Sequence, residues 1–291
     1  MIAATTSTTR EFPWRRKLQL WRAARAQRRG TDRFRKEDFA LFRLEAAIPR
    51  LDRAWDGYRV AHLTDIHLGQ WLSPARLEGV VDLTNSLDAD LIALTGDFLS
   101  YDLVGSARDL EQSFARLRAK DGVFAVLGNH DHWVGAGLVR ALLDRCGIRE
   151  LSNDVVTLRR GQAVLHLAGV DDVMVGRDDL ARVLDRLPTD GPALLLAHEP
   201  DFADRAARSG RFGLQLSGHS HGGQVVLPGF GPLIRGPHCW KYPLDRYQVG
   251  TMTLYTNRGL GSNMWWVRVN CPPEIALITL RTTTEASARW L

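Results

Sequence analysis

Five short clusters in this 291-residue chain carry the residue types that hold metal ions. Asp65 and His67 lie two apart in Thr64-Asp65-Ile66-His67-Leu68-Gly69. Gly96-Asp97 follows, then Gly128-Asn129-His130-Asp131, then His198-Glu199, then Gly218-His219-Ser220-His221-Gly222-Gly223. Carboxylate and amide oxygens suit hard cations, while imidazole nitrogens suit Mn, Fe, Zn or Co, so the mixture points to first-row divalent metals. On an extended chain residues two apart point to one side, and the spacing predicts that Asp65 and His67 aim together. Singly, each cluster has an ordinary reading: Asp65 caps a helix, or His219 packs in a core. Together they read as one metal site, because each follows an apolar run of the same kind.

Those runs are the strands that must position the clusters. The patterning predicts strands over 58–63, 90–95, 122–127, 193–197 and 213–217, each ending at one of the five clusters. Helical patterns over 75–87, 106–119, 136–146, 178–187 and 201–208 alternate with them. Strands alternating with helices predict a mostly parallel sheet with helices outside. In such sheets sites assemble at the carboxyl ends of the strands. Residues 155–158 and 163–169 flank Arg160-Gly161 as a hairpin. Strands near 223–227, 250–256 and 274–281 are expected in a strand-rich, antiparallel C-terminal part. No internal repeat divides the chain, so the expectation is one α/β domain built from two packed sheets.

The five clusters, in this order over about 160 residues, resemble the complete signature of the calcineurin-like metallophosphoesterases. Gly259-Leu260-Gly261 and then Asn270-Cys271-Pro272-Pro273-Glu274-Ile275 resemble a bacterial branch of that superfamily. The branch includes membrane-associated phosphodiesterases and one type of UDP-2,3-diacylglucosamine hydrolase. The resemblance implies a four-layer α/β/β/α sandwich, two mixed β-sheets packed together and flanked by helices. It also implies two divalent ions, Mn foremost, with Fe, Zn or Co as alternatives. One would take Asp65, His67 and His221, the other Asn129, His198 and His219, with Asp97 bridging. Such a pair acidifies the water that attacks phosphorus and neutralises the phosphoryl oxygens. His130 would not be a ligand but would face the phosphate, stabilising charge or protonating the leaving oxygen.

The chain departs from the superfamily pattern once. Phosphoprotein phosphatases place an orienting Asp three residues beyond the bridging Asp, where this chain has Ser100. That argues against a protein-phosphatase role and leaves Asp102, or no residue, to orient His130. The implied activity is a two-metal phosphohydrolase cleaving a phosphodiester or pyrophosphate bond, in a lipid-linked substrate such as UDP-2,3-diacylglucosamine. A soluble phosphodiesterase acting on nucleotides or small phosphates is the alternative. A non-catalytic scaffold of the same fold is the alternative of another class, and against it all seven ligand positions are filled.

Composition bounds the rest. With 45% hydrophobic and 24% charged residues the chain is an ordinary globular protein, and three scattered cysteines form no disulfide framework or zinc ribbon. A reducing, cytoplasmic setting is expected. Residues 1–36 hold 11 Lys or Arg against 2 acids, a net of +9, so the remaining residues carry −4 of the total of +5. The expected division is a basic arm over 1–43 and a metallophosphoesterase domain over 44–291. In the arm, Trp14, Leu18 and Trp21 fall at i, i+4 and i+7, which predicts an amphipathic basic helix over 14–29. Residues 14–36 then either meet an anionic membrane surface, peripheral on its inner face, or pack the two tryptophans on the domain. No aromatic platform accompanies the arm, so no nucleic-acid partner is expected. No run approaches the roughly 20 apolar residues of a membrane-spanning helix. Arg15-Arg16 is followed by charge where an apolar export segment belongs, which argues against export.

His62, His132 and His166 read as structural histidines, and His238, in the loop Gly236-Pro237-His238-Cys239-Trp240, as a loop residue or a substrate contact. The run Met264-Trp265-Trp266-Val267-Arg268 is anomalous on a water-facing surface. Either it lies under a neighbouring loop or it meets a bilayer or an acyl group, which makes Trp265, Trp266 and Arg268 candidate substrate contacts.

Overall fold

A computed structural model describes residues 32–100, 103–262 and 266–283, with side chains throughout except at 103–105. The predicted helix over 14–29, Asp102, Met264 and Trp265 lie outside the described residues.

In chain order the strands are β1 (Ala40–Ile48), β2 (Arg59–Leu63), β3 (Leu91–Thr95), β4 (Val123–Val126), β5 (Arg149–Glu150), β6 (Asp154–Arg160), β7 (Ala163–Gly169), β8 (Ala193–Leu196), β9 (Phe212–Ser217), β10 (Val226–Leu227), β11 (Gly231–Pro232), β12 (Asp245–Val249), β13 (Met252–Thr256) and β14 (Glu274–Thr282). The helices are α1 (Pro74–Asn85), α2 (Leu103–Phe114), α3 (Asn129–Arg145), α4 (Leu180–Arg186) and α5 (Ala203–Arg208). One six-stranded sheet runs β1-β14-β2-β3-β4-β5 and the other β12-β13-β9-β8-β7-β6.

Continuous apolar strands pack both faces, as strands buried on both sides must. In β3, Leu91 and Ala93 face the second sheet while Ile92 and Leu94 face the helices, following the two-residue period of a strand. The central core joins Val60, Phe124 and Val126 of the first sheet to Leu167, Leu194 and Leu216 of the second. Outside the first sheet lie Leu77 and Val80 of α1, Phe114 of α2 and Leu142 of α3. Outside the second lie Val183 of α4 and Ala206 of α5. This is the expected four-layer sandwich.

β2 through β5 are mutually parallel, as are β7, β8, β9 and β13. The C-terminal part is mixed rather than antiparallel. β12 and β13 are antiparallel, but β14 inserts antiparallel to β2 and parallel to β1, pairing Ala40 with Glu274. Local pattern carries no signal for β1, whose partner lies more than 200 residues away in sequence. The strand expected near 223–227 shrinks to the two residues of β10, because Gly222, Gly223 and Gln224 take φ of 57°, 71° and 52°. A left-handed run cannot extend a ladder. The helix expected from 136 begins at Asn129, and Gly135, at φ 134° and ψ 87°, breaks it rather than preceding it.

Candidate metal centre

The five clusters meet along one edge, where the carboxyl ends of β2, β3 and β4 face those of β8 and β9. The backbone there departs from the extended chain that the spacing predicts. Asp65, His67, Asp97, His219 and His221 all have positive φ, between 45° and 67°. Each such non-glycine residue costs about 1–3 kcal/mol unless its surroundings hold it. Main-chain hydrogen bonds do so: Asp65 N to Gly96 O at 3.0 Å, His67 N to Asp97 O at 3.0 Å and Gly261 N to Asp65 O at 2.7 Å. Asp65 and His67 thus converge through two left-handed turns, not through strand alternation.

The side chains meet acceptor to acceptor. His198 Nδ1 donates to Thr95 O (2.6 Å) and His219 Nε2 donates to Pro237 O (2.9 Å). A carbonyl can only accept, so these bonds use the protons of His198 Nδ1 and His219 Nε2 and leave His198 Nε2 and His219 Nδ1 to take a proton or a cation. Those two atoms face each other at 3.2 Å. His67 Nε2 and His221 Nε2 form a second such pair at 3.1 Å, with Asp65 Oδ1 3.3 Å from His221 Nε2. Between the pairs stands Asp97, whose Oδ2 lies 3.4 Å from His67 Nε2 and 3.3 Å from His198 Nε2. Asn129 Oδ1 is buried with no donor among the described residues. Facing ring nitrogens, a carboxylate between them and an orphaned amide oxygen suit a cation, and the donor set fits divalent first-row metals.

Charge follows the same logic. Burial takes His67 and His219 down to about 3, with His130 and His198 as like-charged neighbours adding to it. Burial lowers His198 too, but the Asp97 carboxylate outweighs it and holds His198 well above a free imidazole. Burial opposes ionisation of Asp97, yet His198 and His130 hold it well below the usual carboxylate range. Asp65 is raised to about 7, chiefly by burial and then by Asp97.

Asp131, quoted in the motif without a role, supports the loop. Its carboxylate, fully buried, accepts from the main-chain N–H groups of Asp97 (2.8 Å), Phe98 (2.9 Å) and Gly128 (3.0 Å). Three backbone donors locked by one side chain fix where Asp97 points. The sequence signal for this was a carboxylate at N3 of a helix whose N-cap is Gly128. Gly128 is required for a different reason: a Cβ there would collide with Asp97 Oδ1 and crowd His198. Arg268, read as a candidate substrate contact, turns inward. Its guanidinium donates to Gly259 O (3.1 Å), Gly261 O (2.5 Å) and Cys271 O (3.3 Å), bracing the turn that covers Asp65 and His67.

His130 is buried beside the cluster. Its backbone N donates to Asp97 Oδ1 (2.9 Å) and its Nδ1 to Ser100 O (3.1 Å). That carbonyl belongs to Ser100, the position where the resemblance anticipates an Asp side chain. Ser100 Oγ meets His67 Nδ1 at 2.9 Å and accepts from Gln70 Nε2 at 2.6 Å. Beyond His130 stands Trp133, half exposed, with ring centroids 4.7 Å apart. Trp266 is partly buried and Val267 exposed. His62 bonds Thr95 Oγ1, His132 pairs with Asp171, and His166 bonds Thr157 and Asp190, all away from the facing pairs. His238 is exposed in the loop whose Pro237 carbonyl holds His219.

Residues 58–223 match the family model of the calcineurin-like phosphoesterases. The chain belongs to this family. It is 33% identical over 236 residues to metallophosphoesterase YkuE of Bacillus subtilis, covering 80% of this chain and 82% of the relative. Phosphodiesterase YaeI of Escherichia coli is 27% identical over 77% of this chain and 82% of its own length. A Danio rerio transmembrane protein with a metallophosphoesterase domain is 28% identical over 82% of this chain and 56% of its own length. As a calcineurin-like phosphoesterase the protein is a metal-dependent phosphoester hydrolase. Among its described residues no helix is long and apolar enough to cross a membrane.

Proposed function

We propose that this calcineurin-like phosphoesterase cleaves a phosphodiester or pyrophosphate bond with two divalent ions, Mn foremost. The observation that carries this reading is the pair of facing imidazole contacts on either side of Asp97 Oδ2. Asp65, His67 and His221 would hold one ion, Asn129, His198 and His219 the other, and Asp97 both. When bound, such ions supply Lewis-acid charge to the phosphoryl oxygens and acidify the attacking water.

The chain's own residues do the rest. His130 is not a ligand in this reading. Its Nδ1 donates to Ser100 O, and its Nε2 would meet the phosphate, where it stabilises charge or hands a proton to the leaving oxygen. Asp131 and Gly128 hold Asp97 in place, and the Gly259–Gly261 turn keeps water from the buried side of Asp65.

The substrate in this reading is lipid-linked, of the kind UDP-2,3-diacylglucosamine represents. The exposed apolar residues beside the site support it, and so does the basic arm, whose residues 14–36 would sit on the anionic inner face of a membrane. The name of the Escherichia coli relative supports diester over monoester chemistry.

The test is hydrolysis of bis-p-nitrophenyl phosphate against p-nitrophenyl phosphate after chelation, with Mn restored. Metal-restored activity favouring the diester is expected. Monoester preference, or activity that survives chelation, would contradict the reading.

A further inference from the structure

Among the described residues ten large hydrophobic side chains are exposed, and seven of them fall in just two segments, 227–240 and 267–269. The segments are neighbours. Val226 N donates to Val269 O (3.0 Å), Val269 N to Gln224 O (2.9 Å) and Asn270 Nδ2 to Val226 O (3.0 Å). They also border the metal centre, since Pro237 O takes the Nε2 proton of His219. A cluster of this kind at a site mouth marks a surface that meets something apolar.

Its shape argues for a fluid partner. Phe230 is 83% exposed at the tip of the β10–β11 hairpin, between Gly229 (φ 81°) and Gly231 (φ 77°), with Pro228 and Pro232 outside them. A protruding ring on a turn bounded by two prolines can insert among acyl chains without reordering the fold behind it. Trp240, 67% exposed, carries the Arg235 guanidinium 5.7 Å from its ring. An indole beside a cation is the pairing favoured at a lipid–water interface. The Asp201 carboxylate accepts from the N–H groups of Trp240, Lys241 and Tyr242, so the far end of the loop is anchored. Residues 226–241 contain no acidic residue, and while Lys241 is held by Asp204 at 2.8 Å, the exposed Arg235 stands beside Trp240 to meet anionic headgroups.

We propose that residues 226–241, with Val267 and Val269 beside them, dock the chain on an anionic bilayer and bring the metal centre to headgroup level. The inference rests on the lipid-linked reading above for its purpose and on these side chains for its geometry. It is independent of the basic arm.

The test is co-sedimentation of the full chain with vesicles of phosphatidylcholine containing 30 mol% phosphatidylglycerol (a composition on the order of a bacterial surface charge). Wild type is expected to bind, and part of that binding should survive about 1 M salt, where the screening length is only about 3 Å. Phe230→Ser with Ile234→Ser should lower the partition coefficient at least about ten-fold, whereas Leu138→Ser, exposed on α3, should not. Tm reports whether the double variant folds; if it does not, Phe230→Ser alone should still cost about five-fold. A wild type that stays off the vesicles, or variants that bind as well as wild type, would overturn the proposal. Self-association through Phe230 without vesicle binding would overturn it in favour of a protein interface. Bis-p-nitrophenyl phosphate hydrolysis by the same preparation is read separately: docking without hydrolysis strikes the function, and hydrolysis without docking strikes the surface.

Discussion

The two ends of the parallel strands treat their polar groups in opposite ways. At the amino-terminal end, charge meets its opposite. Tyr58 donates to Asp121 (2.8 Å), Arg160 lies 3.5 Å from Asp90 and 3.7 Å from Asp121, and Lys120 lies 3.3 Å from Asp90. The Arg160 guanidinium also covers the rings of Trp55 and Tyr58 at 4.8 and 4.9 Å. Each of these ionised groups meets its opposite. At the carboxyl end, imidazole faces imidazole and carboxylate faces lone pair, on a backbone held in left-handed conformations. One end is closed on itself and serves stability. The other is complete only around positive charge, and the difference marks where the chemistry lies.

Substitutions that act at only one end break this contrast. Asp97→Asn removes the one carboxylate facing both imidazole pairs, and turnover of a phosphodiester should fall by about 10³-fold or more. Gly128→Ala, which drives a methyl into Asp97, should approach the same loss, read as metal content of the purified protein. His130→Ala should slow turnover by about 10²–10⁴-fold with metal still bound. If it released both ions, His130 would be a ligand. Asp131→Asn, which weakens the three-donor lock on the Asp97 loop, should cost about 10–100-fold in metal affinity by titration. Smallest is Tyr58→Phe, expected to lower stability by about 1 kcal/mol in denaturant unfolding while kcat is unchanged. An effect of Tyr58→Phe on metal affinity would show that the two ends are coupled.

Much of this was legible in the sequence, for physical reasons that also define its limits. Apolar runs ending in Asp, Asn or His at 65, 97, 129, 198 and 219 exposed the parallel strands and their common edge, because burial and alternation are local signals. The left-handed turns at Asp65 and His67 were not legible, since spacing alone suggests extended chain and main-chain bonds to distant Gly96, Asp97 and Gly261 help hold them otherwise. β1 was hidden because it is defined by pairing with β14 at the far end of the chain. The helix expected from 136 opens seven residues earlier, at Asn129, and places Asn129 and His130 in its first turn. The main-chain carbonyl of Ser100 takes the His130 Nδ1 proton, a contact that residue types cannot encode.

The most direct test of the central claim is a Mn titration of the chelated full chain, counted by elemental analysis after removal of free metal. Two ions per chain, falling to one or none in Asp97→Asn, is the result expected from two facing imidazole pairs sharing one carboxylate. Saturation of the wild type at a single ion, or no retained metal at all, would contradict it.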